Sequence, residues 1–518
     1  MVRIAHPRQI AAHTPNKPAL IIADTGEQLS YGDLVENADR AAQLFSSMGL
    51  VEGDTIALFL ENHIRYPELC WAAKNSGITY ACIARHSSVE DAAYVVENSD
   101  AKLLISSTAL SEVALAVAEQ LGESCQYLML DGAEPPFLPY EAALENCPAR
   151  ALEGRRRGPS MLYSSGTTGR PKGVRIPLPE ESPEQPPMRL KLLEHHYRMD
   201  SSTVLINPGP FYHAAPGRFM ISLQRLGGTT IAFQKFDAQA TLEAIQTFQA
   251  THGLFVPTMF VRMLRLSPEL REQYDVSSLR CVVHLAAPCP IPVKEQMIAW
   301  WGPIIEEMYG GTESVGHTFI TSDEWLTHKG SVGRPAKGCE IKILAEDGQE
   351  QPPGQPGVIY MRNGNHFEYH KDAEKTKGVF IAGNWATLGD IGYLDSDGYL
   401  YLTDRKAHMI VSGGVNIYPQ EAESILSCHP AIEDVAVIGI PNAEFGEEVK
   451  AVVQTREPVR DKAALEADII AYCRSRLSAV KCPRSVDFVD ELPRNEAGKL
   501  VKRLIKAKYW EGHASALI

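Results

Sequence analysis

Residues 163–173 read Tyr-Ser-Ser-Gly-Thr-Thr-Gly-Arg-Pro-Lys-Gly. Glycine lacks a Cβ, so its backbone can approach a ligand closely and turn N–H groups toward oxyanions. Ser164, Ser165, Thr167 and Thr168 add hydroxyls around Gly166 and Gly169, and Lys172 adds a cation. That combination suits a polyphosphate. It is not a Walker A loop, because Pro171 stands where the second glycine is required. A flexible Ser/Gly linker is the plain alternative. Two features oppose it: the run directly follows apolar Met161-Leu162, and a linker has no need of Arg170-Pro171-Lys172-Gly173.

On both sides of this loop, strand-like and helix-like segments alternate. Thr55–Leu60 is a short apolar run of strand length, and Lys102–Ile105, Tyr127–Leu130, Val204–Ile206 and Cys281–Ala287 repeat the theme. Leu34, Ala38, Ala41, Phe45 and Met48 recur at helical spacing until Gly49 stops the pattern. Alternation of this kind predicts an α/β protein with a largely parallel sheet. Glu180–Pro187, rich in proline and glutamate, is predicted to be an exposed loop, and Arg155–Arg157 a solvated basic run. The character changes near Asp404. Gly- and Asp-rich turns precede it, and Asp434–Pro441 and Val449–Val453 follow as strands of a compact unit. A domain boundary is expected there.

The chain is acidic, with 50 Lys and Arg against 64 Asp and Glu, a net charge of −14. Residues 405–518 hold equal numbers of each sign, so residues 1–404 carry the whole excess. A broad basic face for nucleic acid is therefore not expected. The ten cysteines stand singly, without the Cys-x-x-Cys spacing of a zinc or redox motif. They read as buried or bystander thiols in a reducing compartment. Neither a secretory signal nor a run of about 20 apolar residues is evident. A cytoplasmic protein is expected, with no transmembrane segment and with a homodimer left open.

Ser164–Gly173 resembles the phosphate-loop signature of the adenylate-forming superfamily, which includes acyl-CoA synthetases, luciferases and nonribosomal-peptide adenylation domains. The likeness continues in order. Tyr309-Gly310-Gly311-Thr312-Glu313 is similar to the family's Tyr-Gly-x-Thr-Glu element. Thr387–Asp390, Tyr393, Asp397-Gly398 and Asp404-Arg405 are similar to the segment that ends at the interdomain hinge. Gly413-Gly414 and Ile417–Glu421 match the start of the small domain, and Leu492–Lys499 matches the C-terminal lysine loop. The resemblance implies a large N-terminal domain of layered α/β subdomains over 1–404. A small mobile α+β domain over 405–518 would carry the catalytic lysine.

The same resemblance implies an ATP-dependent reaction in two steps. A carboxylate attacks the α-phosphorus of ATP, giving acyl-adenylate and pyrophosphate; a thiol, usually that of CoA, then displaces AMP. The first step brings anions together, so positive charge and oriented donors should carry it. Lys499 corresponds to the lysine that contacts the reacting carboxylate and the α-phosphate. Glu313 corresponds to the Mg²⁺ ligand, a hard donor for a hard cation, with Thr168 beside it. Thr168 and Thr312 would hold phosphate oxygens, and Lys172 the β- and γ-phosphates. Asp390 and Arg405 would bind the ribose. Tyr309 would pack on adenine, with Ala286, Ala287 and Pro288 on its other side. Asp390, Glu313 or Lys499 alone would each be an ordinary solvated side chain; the reading rests on the ordered set.

His213 resembles the family histidine near the reacting carboxylate. Ala214, Gly217, Phe219, Met220, Met259, Gly311, Val315 and Gly316 are the expected acyl-pocket surroundings. Small residues leave volume and apolar ones favour hydrophobic acids. A medium- or long-chain fatty, aryl-alkanoic or steroid-type acid is expected, not acetate or an amino acid. Asp404 matches the hinge, and Ser412, Gly413 and Gly414 the loop that opens a pantetheine tunnel. With no carrier-protein segment after the lysine loop, free CoA is the expected acceptor. A carrier-protein thiol, or a catalytically silent nucleotide-binding regulator, are the alternatives. Residues 494–508 carry six cations against Glu496 alone, which suggests a movable basic end brought to an acidic body.

Overall fold

A computed structural model describes residues 5–164, 171–405, 408–442, 444–494 and 500–511. The chain forms two compact units: Met1–Phe255 with Arg265–Val283 and His366–Lys377, and Val256–Leu264 with His284–Asn365 and Gly378–Ile518.

In the first unit the strand Thr55–Phe59 is buried at every position. It pairs in parallel with Thr79–Ile83 and Ala101–Ser107, and Thr79–Ile83 pairs in parallel with Ser160–Ser164. Parallel strands covered on both faces read as unbroken apolar runs, as this one does. The helix Tyr31–Ser47 covers part of the sheet. Ser30 caps it by accepting a hydrogen bond from the Asp33 N–H. Leu34, Ala38, Ala41, Leu44 and Phe45 turn one stripe into the core, and Gly49 follows with φ +85°. Each fully buried Leu or Phe side chain contributes about 1.5–3 kcal/mol. A second layer of this unit contains His252–Phe255, Val204–Ile206, Thr229–Ala232 and Pro18–Ile22 as parallel neighbours.

The second unit begins as an antiparallel meander. Ile305–Gly310, His317–Ile320, Ser331–Pro335, Leu400–Arg405, Trp385–Leu394, Gly357–Arg362 and Glu340–Leu344 lie side by side in that order. Residues 410–489 then build a separate five-stranded sheet. Its long hairpin Ile432–Asn442/Gly446–Thr455 packs against the helices Pro419–Leu426 and Lys462–Arg474 through Leu426, Val437, Val453, Ile469 and Cys473. The α/β architecture expected from sequence is thus present. Among the described residues, no helix is long and apolar enough to cross a membrane.

Three local expectations are corrected. The strand at Cys281 stops at His284, not Ala287, because Ala286 takes φ +75° and leaves the extended region. The segment Glu180–Pro187 is mostly half-buried, with Pro183 buried. Prolines supply no N–H for a ladder, so arginines satisfy its carbonyls instead. Arg225 Nη1 donates to Pro183 O at 2.8 Å, and Arg157 Nη1 to Gln185 O at 3.0 Å. The Arg155–Arg157 run is therefore half-buried rather than freely solvated. Arg156 pairs with Glu52 at 2.7 Å and Glu180 at 3.1 Å.

Candidate active site

Ser160–Ser164 and Lys172–Arg175 form an antiparallel pair with Tyr163 opposite Gly173 and Ser164 opposite Lys172. The loop of interest is the link between these two strands. Ser165, Gly166, Thr167, Thr168 and Gly169 lie outside the described residues. The Tyr163 hydroxyl donates to Asn98 Oδ1 at 2.8 Å, and burial pushes that phenol up. A Cβ on Gly173 would come within 3.0 Å of the Tyr163 ring, so the tyrosine occupies the space a side chain would take. Lys172 Nζ stands 5.1 Å from the centroid of the Tyr369 ring, a cation–π contact that steers the ammonium.

In the same unit, His213 sits at the N-cap of the helix Ala214–Leu226 and is half-buried, 4.6 Å from the Tyr212 ring. The approach to it is fixed by a residue that sequence reasoning missed. Asn62, buried, accepts from the Phe211 N–H at 2.8 Å and donates to Gly209 O at 3.1 Å and Phe233 O at 2.9 Å. A lone Asn beyond a strand end carries no motif. A Cβ on Gly217 would meet Phe211 O at 2.4 Å, so this glycine is required by the helix start itself. Ala214, half-buried, packs beside the core at the same turn.

The second unit brings together the residues expected around the nucleotide. Tyr309, near the end of Ile305–Gly310, donates its hydroxyl to Asp390 Oδ2 at 2.7 Å. Asp390 is 7% exposed and lies directly across the sheet from the Arg405 backbone. The ring expected on adenine therefore also orients the carboxylate expected on ribose. Past Gly310 the chain turns sharply. Ser314 takes φ +57°, a left-handed conformation that costs of order 1 kcal/mol or more outside glycine. Asn363 and Asn365 clamp it by donating to Ser314 O at 2.9 and 3.1 Å. Neither asparagine was singled out from sequence. Thr312 and Glu313 are half-buried within this turn. A Cβ on Gly311 would lie 2.8 Å from Glu313 Oε2 and 2.8 Å from Leu388 Cδ1, so glycine is what leaves Glu313 its position. Val315 is buried, and Gly316 is already packed against Cys339 and Met361. Met259, on the helix Pro257–Leu264, is also buried. Ala286 and Pro288 are exposed and Ala287 is half-buried, beyond the end of their strand.

Asp404 is almost fully buried, accepting from the Gln420 N–H at 3.0 Å at the start of Pro419–Leu426, with His408 Nδ1 at 3.5 Å. Tyr418 offers that helix no side-chain cap, so Asp404 serves as one. Ser412, Gly413 and Gly414 form the tip of a two-residue hairpin, with φ +57° and +79° at the two glycines. Positive φ at both positions is what a type I′ turn demands. Lys499 lies outside the described residues. An Arg494–Leu500 bridge flanks it.

Three of the six cations of the basic end are paired within the small unit. Arg494 pairs with Asp434 at 2.6 Å, Lys502 with Glu423 at 2.8 Å and Lys506 with Glu447 at 3.0 Å. Asp434 and Glu447 come from the long hairpin and Glu423 from the helix Pro419–Leu426, so local charge counting could not show them.

One consequence concerns Tyr309. Tyr309→Phe removes a hydrogen bond to a carboxylate, worth about 1.5–3 kcal/mol. The KM for ATP is expected to rise about tenfold with a smaller change in kcat. Steady-state kinetics with varied ATP checks this, and an unchanged KM removes the orienting role.

Comparison with known proteins identifies what the chain is similar to. The family model described as AMP-binding enzyme matches residues 7–368, and that described as AMP-binding enzyme C-terminal domain matches residues 421–499. The chain is 30% identical to a 2-succinylbenzoate–CoA ligase of Bacillus licheniformis over 96% of this chain and 98% of that one. It is 29% identical to the long-chain-fatty-acid–CoA ligase FadD13 of Mycobacterium tuberculosis, over 97% of each. The crystal structure of ATP-bound MatB from Rhodopseudomonas palustris superposes with a TM-score of 0.81 at 28% identity. That match covers 97% of this chain and 99% of that one.

Proposed function

Because this chain belongs to the AMP-binding enzyme family, we propose that it is an AMP-forming acid–CoA ligase acting on a hydrophobic carboxylic acid: medium- or long-chain fatty, aryl-alkanoic or steroid-type. The observation that carries the nucleotide half is the Tyr309–Asp390 bond, which fixes a ring and a ribose-binding carboxylate together. Acid–CoA ligation in general is supported by the relatives. The breadth of the acid rests on the small and apolar residues after His213.

In this reading Tyr309 packs on adenine, Asp390 and Arg405 hold the ribose, and Ala287 and Pro288 close the other side of the base. Thr168, Thr312 and Lys172 bind the phosphates. The acid's carboxylate oxygen forms a bond to the α-phosphorus as the bond from that phosphorus to the pyrophosphate oxygen breaks. Lys499 lies along both anions at that moment. In the second step the CoA sulfur bonds to the acyl carbon, the thiol proton is lost and AMP leaves. Glu313 suits a divalent cation: it is a half-buried oxygen donor whose place is kept open by Gly311. With Thr168 it would hold Mg²⁺, which neutralises charge on the phosphates. The boundary at Asp404 divides the body from a small domain that swings about it, presenting Lys499 in one pose and Gly413-Gly414 in the other. A cytoplasmic location belongs to the same reading.

The test is a pyrophosphate-release screen across fatty, aromatic and steroid acids, with ATP, Mg²⁺ and CoA. Acid-dependent pyrophosphate and AMP, with acyl-CoA as product, are expected from a hydrophobic acid. Acid-dependent pyrophosphate without acyl-CoA would move the acceptor to a carrier-protein thiol. Activity confined to acetate or amino acids would overturn the acyl-pocket reading.

A further inference from the structure

The hairpin that carries Asp390 on one strand and Arg405 on the other ends in a turn that the reaction leaves unused. Its strands, Trp385–Leu394 and Leu400–Arg405, pair Leu394 with Leu400, and residues 395–399 link them. Asp395 stands roughly 16 Å along the strand from Asp390, at about 3.3 Å per residue. The turn itself orients the Asp395 carboxylate. Oδ1 accepts from the Asp397 N–H at 3.0 Å and from the Tyr399 N–H at 2.8 Å. Oδ2 lies 3.3 Å from Nδ1 of His328. The Tyr401 hydroxyl bonds to the same carboxylate.

His328 is held from a different direction. It closes the helix Ser322–Thr327, its N–H donating to Glu324 O at 3.0 Å and Trp325 O at 3.1 Å. Its ring stacks on Tyr399, with 3.7 Å between centroids and 21° between planes. Tyr399 is itself buried in a cluster with Ile320 and Trp325. Its hydroxyl accepts from Arg334 Nη2 at 2.7 Å and donates to Glu324 Oε1 at 3.3 Å. A buried, tethered ring therefore places the imidazole independently of the carboxylates. Exposed Asp397 completes a set in which one ligand atom from each of His328, Asp395 and Asp397 lies within 4.8 Å of the others. Among the described residues, no other three His, Cys, Asp or Glu side chains converge in this way.

We propose that His328, Asp395 and Asp397 form a binding site for a divalent transition-metal ion of the Zn²⁺ kind, with water completing the coordination. An imidazole nitrogen and carboxylate oxygens bind such an ion at about 2.0–2.2 Å. Around a tetrahedral ion at those distances, two ligand atoms stand about 3.3–3.5 Å apart. The separation of 3.3 Å between His328 Nδ1 and Asp395 Oδ2 already meets this. Asp397 needs only a rotation of its exposed side chain to close the third position. The two carboxylates supply the two negative charges that balance the ion. The imidazole decides the class of metal: Mg²⁺ and Ca²⁺ take oxygen ligands, whereas imidazole suits Zn²⁺, Cu²⁺ and Ni²⁺. Once bound, the ion would tie the hairpin's turn to the end of the helix Ser322–Thr327, at the opposite end of the hairpin from Asp390. The plain alternative is an ion pair between His328 and Asp395, which asks nothing of Asp397.

The experiment is calorimetric titration of the metal-stripped full chain with Zn²⁺ at neutral pH, in an excess of Mg²⁺. One Zn²⁺ per chain is expected to bind at micromolar concentration. His328→Phe keeps a ring on Tyr399 and removes the nitrogen. Asp395→Asn keeps an oxygen for the turn's N–H groups and removes the charge. Each should weaken Zn²⁺ binding by at least about tenfold, the loss that even an outer-shell partner can bring. Asp397→Asn, at an exposed position, should weaken it as well, and it carries the test alone if the other two variants fail to fold. Absence of binding at submillimolar Zn²⁺ overturns the site. Binding that all three substitutions leave unchanged does the same, because the ion then sits elsewhere on the chain. If Asp397→Asn alone has no effect, the three-ligand site is wrong and the ion pair stands in its place. Ca²⁺ binding as tight as that of Zn²⁺ would overturn the assignment to a transition-metal ion.

Discussion

Lys499→Ala is expected to lower acid-dependent pyrophosphate release by on the order of 10²–10³-fold, while thioester formation from preformed acyl-adenylate proceeds. The magnitude follows from the charges that meet. A carboxylate and a phosphate oxygen about 4 Å apart repel by about 4 kcal/mol at an effective dielectric near 20. A cation lying along both removes most of that term, and it does so most fully at the transition state. The second half-reaction expels AMP without bringing two anions together, so it does not need the same lysine. Pyrophosphate exchange measures the first half, and CoA consumption from synthetic adenylate measures the second. If the first half-reaction survives intact, the role given to Lys499 is wrong. Equal loss of both halves would instead indicate general damage to the fold.

How much of this was legible in the sequence depended on distance along the chain. The helix Tyr31–Ser47 was readable because its signal is local: a 3.6-residue stripe and a stopping glycine. The strand that leads to Ser164 was readable because apolar Met161-Leu162 run straight into the Ser/Gly-rich segment. The Tyr309–Asp390 bond was not, since the pair is 81 residues apart and meets only through the antiparallel meander. Nor was the neutralisation of Arg494, Lys502 and Lys506, whose partners lie 60, 79 and 59 residues away. Ala286 and Ser314 take positive φ without being glycine, so nothing in their identity announced a turn. The prolines of 180–187 misled in the opposite direction. They do exclude regular structure, but buried arginines can hold irregular backbone as firmly as a ladder does.

The most severe effect on stability is expected at a group that the reaction does not use. Lys294, wholly buried, donates to Glu307 Oε2 at 2.7 Å and lies 4.9 Å from the Trp325 ring centroid; His284 Nε2 is 3.3 Å from the same carboxylate oxygen. Burial alone would push the Glu307 carboxyl up, but Lys294 and then His284 outweigh it and hold it at about 2. Burial keeps His284 low and therefore neutral near pH 7. Lys294→Met leaves an ionised carboxylate with no full cation beside it. A buried pair broken in this way costs about 3–5 kcal/mol. The sign of the pH dependence should invert as well. In the native protein a carboxyl depressed to about 2 adds stability above its unfolded value near 4.3, and loses it as pH falls toward 2. In the variant only His284 still opposes burial, so the carboxyl should rise; once it lies above the unfolded value, folding binds a proton and stability falls as pH rises through that value. Denaturant unfolding at pH 7 and pH 5 checks both points: the variant's deficit should shrink at pH 5. Adding Glu307→Leu removes the orphaned charge and should restore much of the loss, because apolar replacement of a whole buried pair is often neutral. A single variant as stable as the double at pH 7 would show that Glu307 finds another partner, and that the pair is not what holds this part of the second unit.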